Sequence, residues 1–312
     1  MQLTHEMLER LDQLEKKYGA MGQDMKSYLD GLLYADYLTY WEYIHLDTLL
    51  SLQNPRTPIA DERIFIMYHQ ITELYFRLIL DSIEQLAATE NPELVFFKRQ
   101  LQRMNNYLEQ LIQSFSIMVG GMDKDEFLCF RMSLLPASGF QSVQYRQIEL
   151  SSTDLCCLVH HSRRTPAGEL SELKTMYDNL YWRFGATELA TGKKTLTLRQ
   201  FEQKYADSLL GLAGRMQTQN VWQCYLRLDE SARQDLDLIQ LLKTYDFNTN
   251  VRWSLAHYRS AVRYLDKKPQ TIAATGGTNW QEYLPPKNQR NLFFPSLWSE
   301  EEYQNWGRQS AF

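Results

Sequence analysis

The 312-residue sequence has little proline and glycine, with nine and 14 residues respectively. Because these residues interrupt helices and dominate turns, their scarcity favours long helices over a strand-and-turn architecture. No stretch approaches the roughly 18 uncharged apolar residues that a membrane-spanning helix needs. Residues 1–17 alternate charged side chains with leucine and lack the apolar block of a signal peptide. We therefore expect a helical, cytoplasmic protein.

Cysteine is also scarce, and the net charge is negative. Cys129 and Cys224 stand alone and Cys156 and Cys157 are adjacent, which gives neither the spacing of a zinc site nor a disulfide framework. We expect reduced, mostly buried thiols. The formal net charge of −5 provides no basic face for phosphate groups, which argues against nucleic acid as a partner.

Prolines and apolar periodicity divide the chain into helical segments. The spacing predicts long helices over residues 61–86 and 93–118, the first of them buried on more than one side, for example at Tyr68, Ile71 and Leu78. We identify no strand. The pattern predicts a single all-α domain over residues 1–312, with an N-terminal arm at 1–36, a helical excursion at 166–245 and an irregular C-terminal segment at 267–312.

Two histidines lie on the apolar faces of predicted helices. His69 has Phe65 and Phe76 as helical neighbours, and His257 shares a stripe with Trp253. The small residue Ala261 and its neighbours would let a flat macrocycle approach the His257 helix, as an imidazole-ligated haem requires. The alternative for each is a core histidine satisfied by an ordinary hydrogen bond.

Polar residues capable of binding a ligand lie at three further places. Arg131 follows the apolar run 127–130, so its guanidinium needs a buried acceptor, either a bound carboxylate or an internal carboxylate. Ser138 with Gly139, and Thr275 with the following glycines, combine a hydroxyl with a backbone that a ligand can approach closely. Plain turn structure is the alternative for both pairs.

Taken together, these motifs resemble one family. The motifs are Asp-Glu-Arg-Ile-Phe-Ile-Met-Tyr-His (61–69), Phe-Leu-Cys-Phe-Arg (127–131), Ser-Gly-Phe-Gln-Ser (138–142), Trp253 with His257 and Arg263, Thr-Gly-Gly (275–277) and Tyr-Trp-Glu-Tyr-Ile-His (40–45). The set, spanning about residues 37–298, is similar to tryptophan 2,3-dioxygenase, and the Ser-Gly-Phe-Gln-Ser tract is its most specific part.

The resemblance implies an all-helical, haem b-containing homotetramer that uses dioxygen to cleave the indole C2–C3 bond of L-tryptophan, giving N-formyl-L-kynurenine. It implies that His257 is the proximal iron ligand and that His69 is the catalytic distal histidine beside the indole N–H. Arg131 and Thr275 would bind the amino acid's charged groups. The implied indole wall consists of Phe65, Phe127, Leu134 and, from a neighbouring subunit, Tyr40, Tyr43 and Ile44. The implied haem contacts are Ser138, Gly139 and Trp253.

Two departures from the family pattern bear on substrate choice. Phe127 stands where bacterial relatives often have tyrosine, and the tract from His257 to Thr275 is longer than usual. The alternative is therefore a haem-dependent monooxygenase acting on tyrosine or a substituted tryptophan. Ala261 stands where some of those relatives attach haem through cysteine, so we expect non-covalent haem. A haem-binding sensor and a purely structural helical protein remain further alternatives.

Overall fold

Two compact units make up the chain, residues 1–54 and residues 55–312. The computed structural model describes residues 4–35, 38–134, 139–164, 172–186, 193–267, 270–271 and 285–307. The first unit contains α1 (His5–Ala20), α2 (Met25–Tyr34), α3 (Tyr40–Tyr43) and α4 (Leu46–Leu50). Thr4 and Asp24 cap α1 and α2, because their side chains accept hydrogen bonds from the first-turn N–H groups. None of these four helices has a fully buried residue.

The second unit begins with two 27-residue helices, α5 (Glu62–Ala88) and α6 (Leu94–Gly120), which pack along each other. Short elements follow: α7 (Lys124–Phe130), 3₁₀ turns at Arg131–Leu134 and Gly139–Gln141, α8 (Val143–Ser152), α9 (Leu155–Leu158), a 3₁₀ turn at His161–Arg163, α10 (Leu173–Asp178) and α11 (Tyr181–Gly185).

The remaining elements continue the helical pattern. They are α12 (Leu196–Met216), α13 (Val221–Leu226), α14 (Glu230–Arg233), α15 (Leu236–Phe247), a π turn at Asn248–Arg252, α16 (Trp253–Leu265), the strands β1 (Asp266–Lys267) and β2 (Gln270–Thr271), α17 (Pro286–Gln289), a 3₁₀ turn at Pro295–Leu297 and α18 (Glu300–Gln304). The antiparallel pair β1–β2 is the only sheet in the described residues. The predicted all-helical class is confirmed. No described helix is both long and apolar enough to cross a membrane.

The core of the second unit lies between α5 and α6, with α8 packed on α5 and α15 and α16 packed on α6. The buried stripe of α5 runs through Thr72, Phe76, Ile79 and Ile83. Tyr68 is buried as the sequence predicts, but Ile71 and Leu78 are 38% and 42% exposed. The expectation for those two residues is wrong, because the apolar surface of α5 extends beyond the stripe that α6 and α8 cover.

A second expectation, mostly buried thiols, is also wrong. Cys129 and Cys156 are exposed, Cys157 is partly buried, and only Cys224 is fully buried. All four are free thiols, as expected.

A buried carboxylate, Asp246, fixes the C-terminal segment to the end of α15. Its side chain is fully buried and accepts hydrogen bonds from the backbone N–H groups of Phe293 (2.9 Å) and Phe294 (3.1 Å). It also accepts from Trp298 Nε1 (3.0 Å) and Asn250 Nδ2 (2.8 Å). Burial raises the pKa of Asp246 to about 6, and these four donors oppose the shift. Four donors around two oxygens compensate for the cost of burying the carboxylate.

Replacing Asp246 by asparagine should destabilise the protein. The amide nitrogen cannot accept the hydrogen bonds that reach Oδ2 from Phe294 N–H and Trp298 Nε1, which leaves two buried donors unpaired. We expect the free energy of unfolding to fall by about 2–4 kcal/mol, measured by urea denaturation at neutral pH. Asp207→Asn, at an exposed position of α12, is the matched control. A loss no larger than that of the control would contradict this assignment.

Candidate functional site

His69 lies in the first half of α5 with its ring orientation fixed by the helix itself. Its Nδ1 is 2.7 Å from the carbonyl oxygen of Phe65, one turn earlier. Because a carbonyl only accepts, Nδ1 carries the proton and Nε2 presents a lone pair. Burial lowers the pKa of His69, although Phe65 and Glu73 oppose the shift. The imidazole is therefore a neutral hydrogen-bond acceptor at neutral pH.

His257 lies in α16 and differs from a satisfied core histidine. Its side chain retains accessible surface, yet burial among protein atoms lowers the pKa of its imidazole to about 4, and the proximity of His69 adds to this effect. Accessible surface together with strong desolvation is typical of a ring that lines a recess. The described part of the chain gives the imidazole no hydrogen-bond partner, so the interpretation as an ordinary hydrogen-bonded core histidine is not supported there.

Aromatic rings line the recess near both histidines. The Phe65 ring lies 4.1 Å from the His69 ring, between centroids. Near the second histidine, the Phe115 ring of α6 stacks on the His257 ring, with 6.0 Å between centroids. The Phe115 ring also contacts the Trp253 ring, with 4.8 Å between centroids. The histidines therefore lie in apolar surroundings, where electrostatic interactions are stronger than in water.

Gly139 leaves space beside His257. A Cβ atom built at Gly139 would lie 4.0 Å from His257 Cε1, with no other heavy atom that close apart from its chain neighbours. The glycine thus lets the backbone before α8 approach the His257 ring.

The position of α7 beside α5 follows from two reciprocal hydrogen bonds. The Asp61 carboxylate accepts from the N–H of Asp123 (2.6 Å), and the Glu126 carboxylate accepts from the N–H of Asp61 (3.2 Å). Asp123 also caps α7 by accepting from the N–H groups of Asp125 and Glu126. The start of α7 is thereby fixed to the start of the helix that carries His69.

This arrangement places the end of α7 against the aromatic wall. Phe127 and Phe130 lie 6.1 Å and 5.7 Å from Phe65, between ring centroids, and Leu134 packs against the same cluster. Arg131 follows Phe130 directly and is only 6% exposed. Burial lowers the pKa of Arg131, but a guanidinium stays protonated at neutral pH. A buried positive charge therefore lies next to an apolar wall, which suits an anionic group on an otherwise apolar ligand.

The α8 helix is tied to α5 one turn beyond His69. Gln144 Nε2 donates to the carbonyl oxygen of Glu73 (2.9 Å) and to its carboxylate (2.8 Å). This contact fixes the segment that begins with Gly139 relative to His69.

The structure brings together most, but not all, of the residues that the sequence singled out. Phe65, Phe127, Leu134 and Trp253 belong to one apolar cluster. His69, His257, Gly139 and Arg131 adjoin it. Ser138 and Thr275 lie outside the described residues. Tyr40, Tyr43 and Ile44 belong to the first unit, where Tyr40 and Tyr43 are 71% and 74% exposed and Ile44 is partly buried. In the described chain, no group of three or more His, Cys, Asp or Glu side chains could hold a metal ion.

The sequence analysis assigned no site role to three ring residues of this cluster. Phe115 contacts both Trp253 and His257, Phe130 contacts Phe65, and Tyr264 packs on Phe127 at 4.7 Å between centroids. Tyr264 also donates hydrogen bonds to the carbonyl oxygens of Met118 and Met122 at the α6–α7 turn. The only available signal was helical spacing, since Phe115 continues the buried stripe of α6 and Tyr264 lies two turns after His257.

Comparison with known proteins identifies the family of the chain. The family model for tryptophan 2,3-dioxygenase matches residues 30–163. The tryptophan 2,3-dioxygenase of Bordetella pertussis is 30% identical over 288 residues, which cover 89% of this chain and 94% of the relative. Those of Exiguobacterium sibiricum and a Polaromonas species are 30% and 29% identical, covering 84% and 88% of this chain and 91% and 90% of the relatives. The chain belongs to the tryptophan 2,3-dioxygenase family.

Proposed function

We propose that this protein is a haem-dependent dioxygenase that converts L-tryptophan and dioxygen to N-formyl-L-kynurenine. The observation that carries the proposal is a pair of neutral histidines in aromatic surroundings, with a buried arginine at the adjoining aromatic wall, in a chain of this family. Both histidines are neutral and one lacks a partner in the described chain, which suits iron ligation on one side and hydrogen bonding on the other.

The residues present fit a haem group. The His257 imidazole is neutral, apolar rings surround it, and Gly139 keeps the space beside it open. In this proposal His257 holds the iron, Trp253 and Gly139 line the macrocycle, and Ser138 is a further contact. Haem b, when bound in the ferrous state, supplies the dioxygen-binding site and the redox chemistry.

His69 orients the indole in this proposal. Because Nδ1–H donates to the carbonyl oxygen of Phe65, Nε2 is available to accept a hydrogen bond from the indole N–H of the substrate. Its lowered pKa keeps the ring unprotonated, so it does not present a competing N–H at that position. The residue thus fixes which edge of the indole faces the haem, and positioning of this kind lowers the activation barrier.

Arg131 and the aromatic wall hold the rest of the substrate. The buried guanidinium binds the amino acid carboxylate through its paired N–H groups, and Phe65, Phe127 and Leu134 contact the indole. These side chains exclude water from the reacting atoms. We assign Thr275 to the ammonium and carboxylate groups by family resemblance.

We further propose that the protein assembles as a homotetramer in which the first unit contributes to a neighbouring site. Supporting this, the first unit exposes several large apolar and aromatic side chains, which are typical of a surface that a partner covers. Leu32, Leu33, Tyr34, Tyr40 and Tyr43 are each more than 70% exposed. Tyr40, Tyr43 and Ile44 complete the neighbour's indole wall in this proposal.

The decisive experiment is a labelled-dioxygen assay with haem-loaded, reduced protein. L-Tryptophan is added anaerobically and ¹⁸O₂ is then admitted. We expect a product that carries both labelled atoms and has the absorbance of N-formylkynurenine. Incorporation of a single atom, or turnover with tyrosine alone, would instead show a monooxygenase, and haem binding without turnover of either substrate would show a sensor.

Two variants separate cofactor binding from substrate binding. His257→Ala should abolish stable haem binding, because it removes the iron ligand, whereas His161→Ala, at an exposed position, should bind haem normally.

Arg131→Ala should retain haem but raise KM for L-tryptophan by about 10–100-fold, the loss expected for a charged hydrogen-bonded contact. Arg99→Ala, exposed on α6, is its control. Soret absorbance and steady-state kinetics measure both effects, and normal haem retention in His257→Ala would refute the ligand assignment.

Phe127→Tyr tests the departure from the family pattern. Phe127 is 9% exposed and lies four residues before Arg131, so an added hydroxyl would lie near the proposed carboxylate site. We expect KM for L-tryptophan to fall by up to about tenfold, the value of one hydrogen bond to a charged group, with little change in kcat. Tyr264→Phe, which removes a hydroxyl that already donates to the carbonyl oxygens of Met118 and Met122, should not lower KM. An unchanged or increased KM in Phe127→Tyr would show that the hydroxyl does not reach the substrate.

A further inference from the structure

Two adjacent cysteines lie in the short helix α9, outside the recess described above. Cys156 is exposed and Cys157 is partly buried, and both are free thiols. The proposed dioxygenase reaction uses neither of them.

The backbone around the two cysteines is fixed on both sides. The Cys157 N–H donates to the carbonyl oxygen of Asp154 (2.9 Å). Arg164 donates to the carbonyl oxygens of Cys157 (2.8 Å) and Val159 (2.9 Å). Asp154 is itself held by Asn220, whose Nδ2 lies 3.0 Å from its Oδ1. These hydrogen bonds fix the backbone that carries the two thiols.

The two thiols lie on adjacent residues of one helical turn and affect each other's ionisation. The neighbouring Cys157 thiol lowers the pKa of Cys156 to about 7, against the opposing effects of burial and Asp154. The effect of Cys156, together with burial, raises the pKa of Cys157. Cys156 is thus partly a thiolate at neutral pH, which is the nucleophilic form, and the second thiol is on the next residue of the same helix.

A direct disulfide between these residues is unfavourable. Adjacent Cα atoms across a trans peptide are about 3.8 Å apart, whereas disulfide-linked residues have Cα atoms about 4.4–6.8 Å apart. A third atom inserted between the sulfurs removes the need for a direct S–S bond. The pair therefore suits a bridging ligand better than oxidation to a disulfide.

We propose that Cys156 and Cys157 form a two-sulfur binding site for trivalent arsenicals, which are soft electrophiles with two exchangeable oxygen ligands. Cys156 attacks arsenic first and Cys157 closes the ring. For a dihydroxy organoarsenical, two As–S bonds form and two As–OH bonds break. Each hydroxide leaves as water with one thiol proton, so arsenic stays trivalent and no oxidant is needed.

The test uses the full-length protein and phenylarsine oxide, which hydrates to the dihydroxy form. We expect one retained phenylarsenic group per chain by intact mass spectrometry, with the loss of two titratable thiols. The adduct should survive excess 2-mercaptoethanol and be released by 2,3-dimercaptopropanol, since a dithiol competes for both bonds at once. Removing one of two linked contacts should weaken binding by about 100-fold, so Cys156→Ser and Cys157→Ser should each show this loss.

Cys129→Ser is the matched control, because Cys129 is exposed but has no cysteine beside it in the sequence. This variant should bind phenylarsine oxide as the unmodified protein does. Two outcomes would overturn the proposal: release of the unmodified protein's adduct by 2-mercaptoethanol, or unchanged affinity in Cys157→Ser. The first outcome is read on the unmodified protein, so it does not depend on the folding of any variant.

Discussion

The buried carboxylate of Asp246 is the constraint on which the arrangement of the second unit's C-terminal half depends. A buried ionisable group is tolerated only when its hydrogen bonds are satisfied, and here the partners come from two places at once. Phe293, Phe294 and Trp298 belong to the C-terminal segment, and Asn250 belongs to the π turn before α16. One side chain therefore fixes the C-terminal segment against the beginning of the helix that carries His257.

A different set of hydrogen bonds holds the C-terminal end of α16. Tyr264 is buried and its hydroxyl donates to carbonyl oxygens at the α6–α7 turn. That turn leads into α7, which is clamped to the start of α5 by Asp61 and Glu126. The helices that carry His69, Arg131 and His257 are thus linked by polar contacts at their ends, while the aromatic rings between them provide the apolar wall.

The sequence predicted the helices better than it predicted the contacts between them. Periodicity located α5 and α6 within about two residues at each end, because these helices are long and strongly patterned. It misjudged Ile71 and Leu78, since apolar character alone does not show how far a neighbouring helix covers the surface. The pairing of His69 with His257 came from family resemblance, as the two are far apart in the chain. Phe115 was missed because its contacts with α16 are not visible in the pattern of α6 alone.

The burial of the cysteines was also not predictable from the sequence. Sequence spacing correctly excluded a disulfide framework, but exposure of Cys156 depends on which side of α9 faces the core. A four-residue helix carries too few positions for periodicity to reveal that face. The mutual effect of the two thiols likewise depends on their side-chain conformations.

The π turn at Asn248–Arg252 has a consequence for the direction in which α16 faces. Helical structure runs from Leu236 through the π turn to Leu265, and a π turn takes one more residue than an α-helical turn. Each residue of an α-helix advances the side-chain direction by about 100°, so the extra residue shifts the phase of everything downstream by about that angle. The phase that brings His257 to the recess is therefore set by backbone winding five residues earlier, and winding the same residues as an unbroken α-helix would rotate the imidazole away without altering any side chain of the pocket.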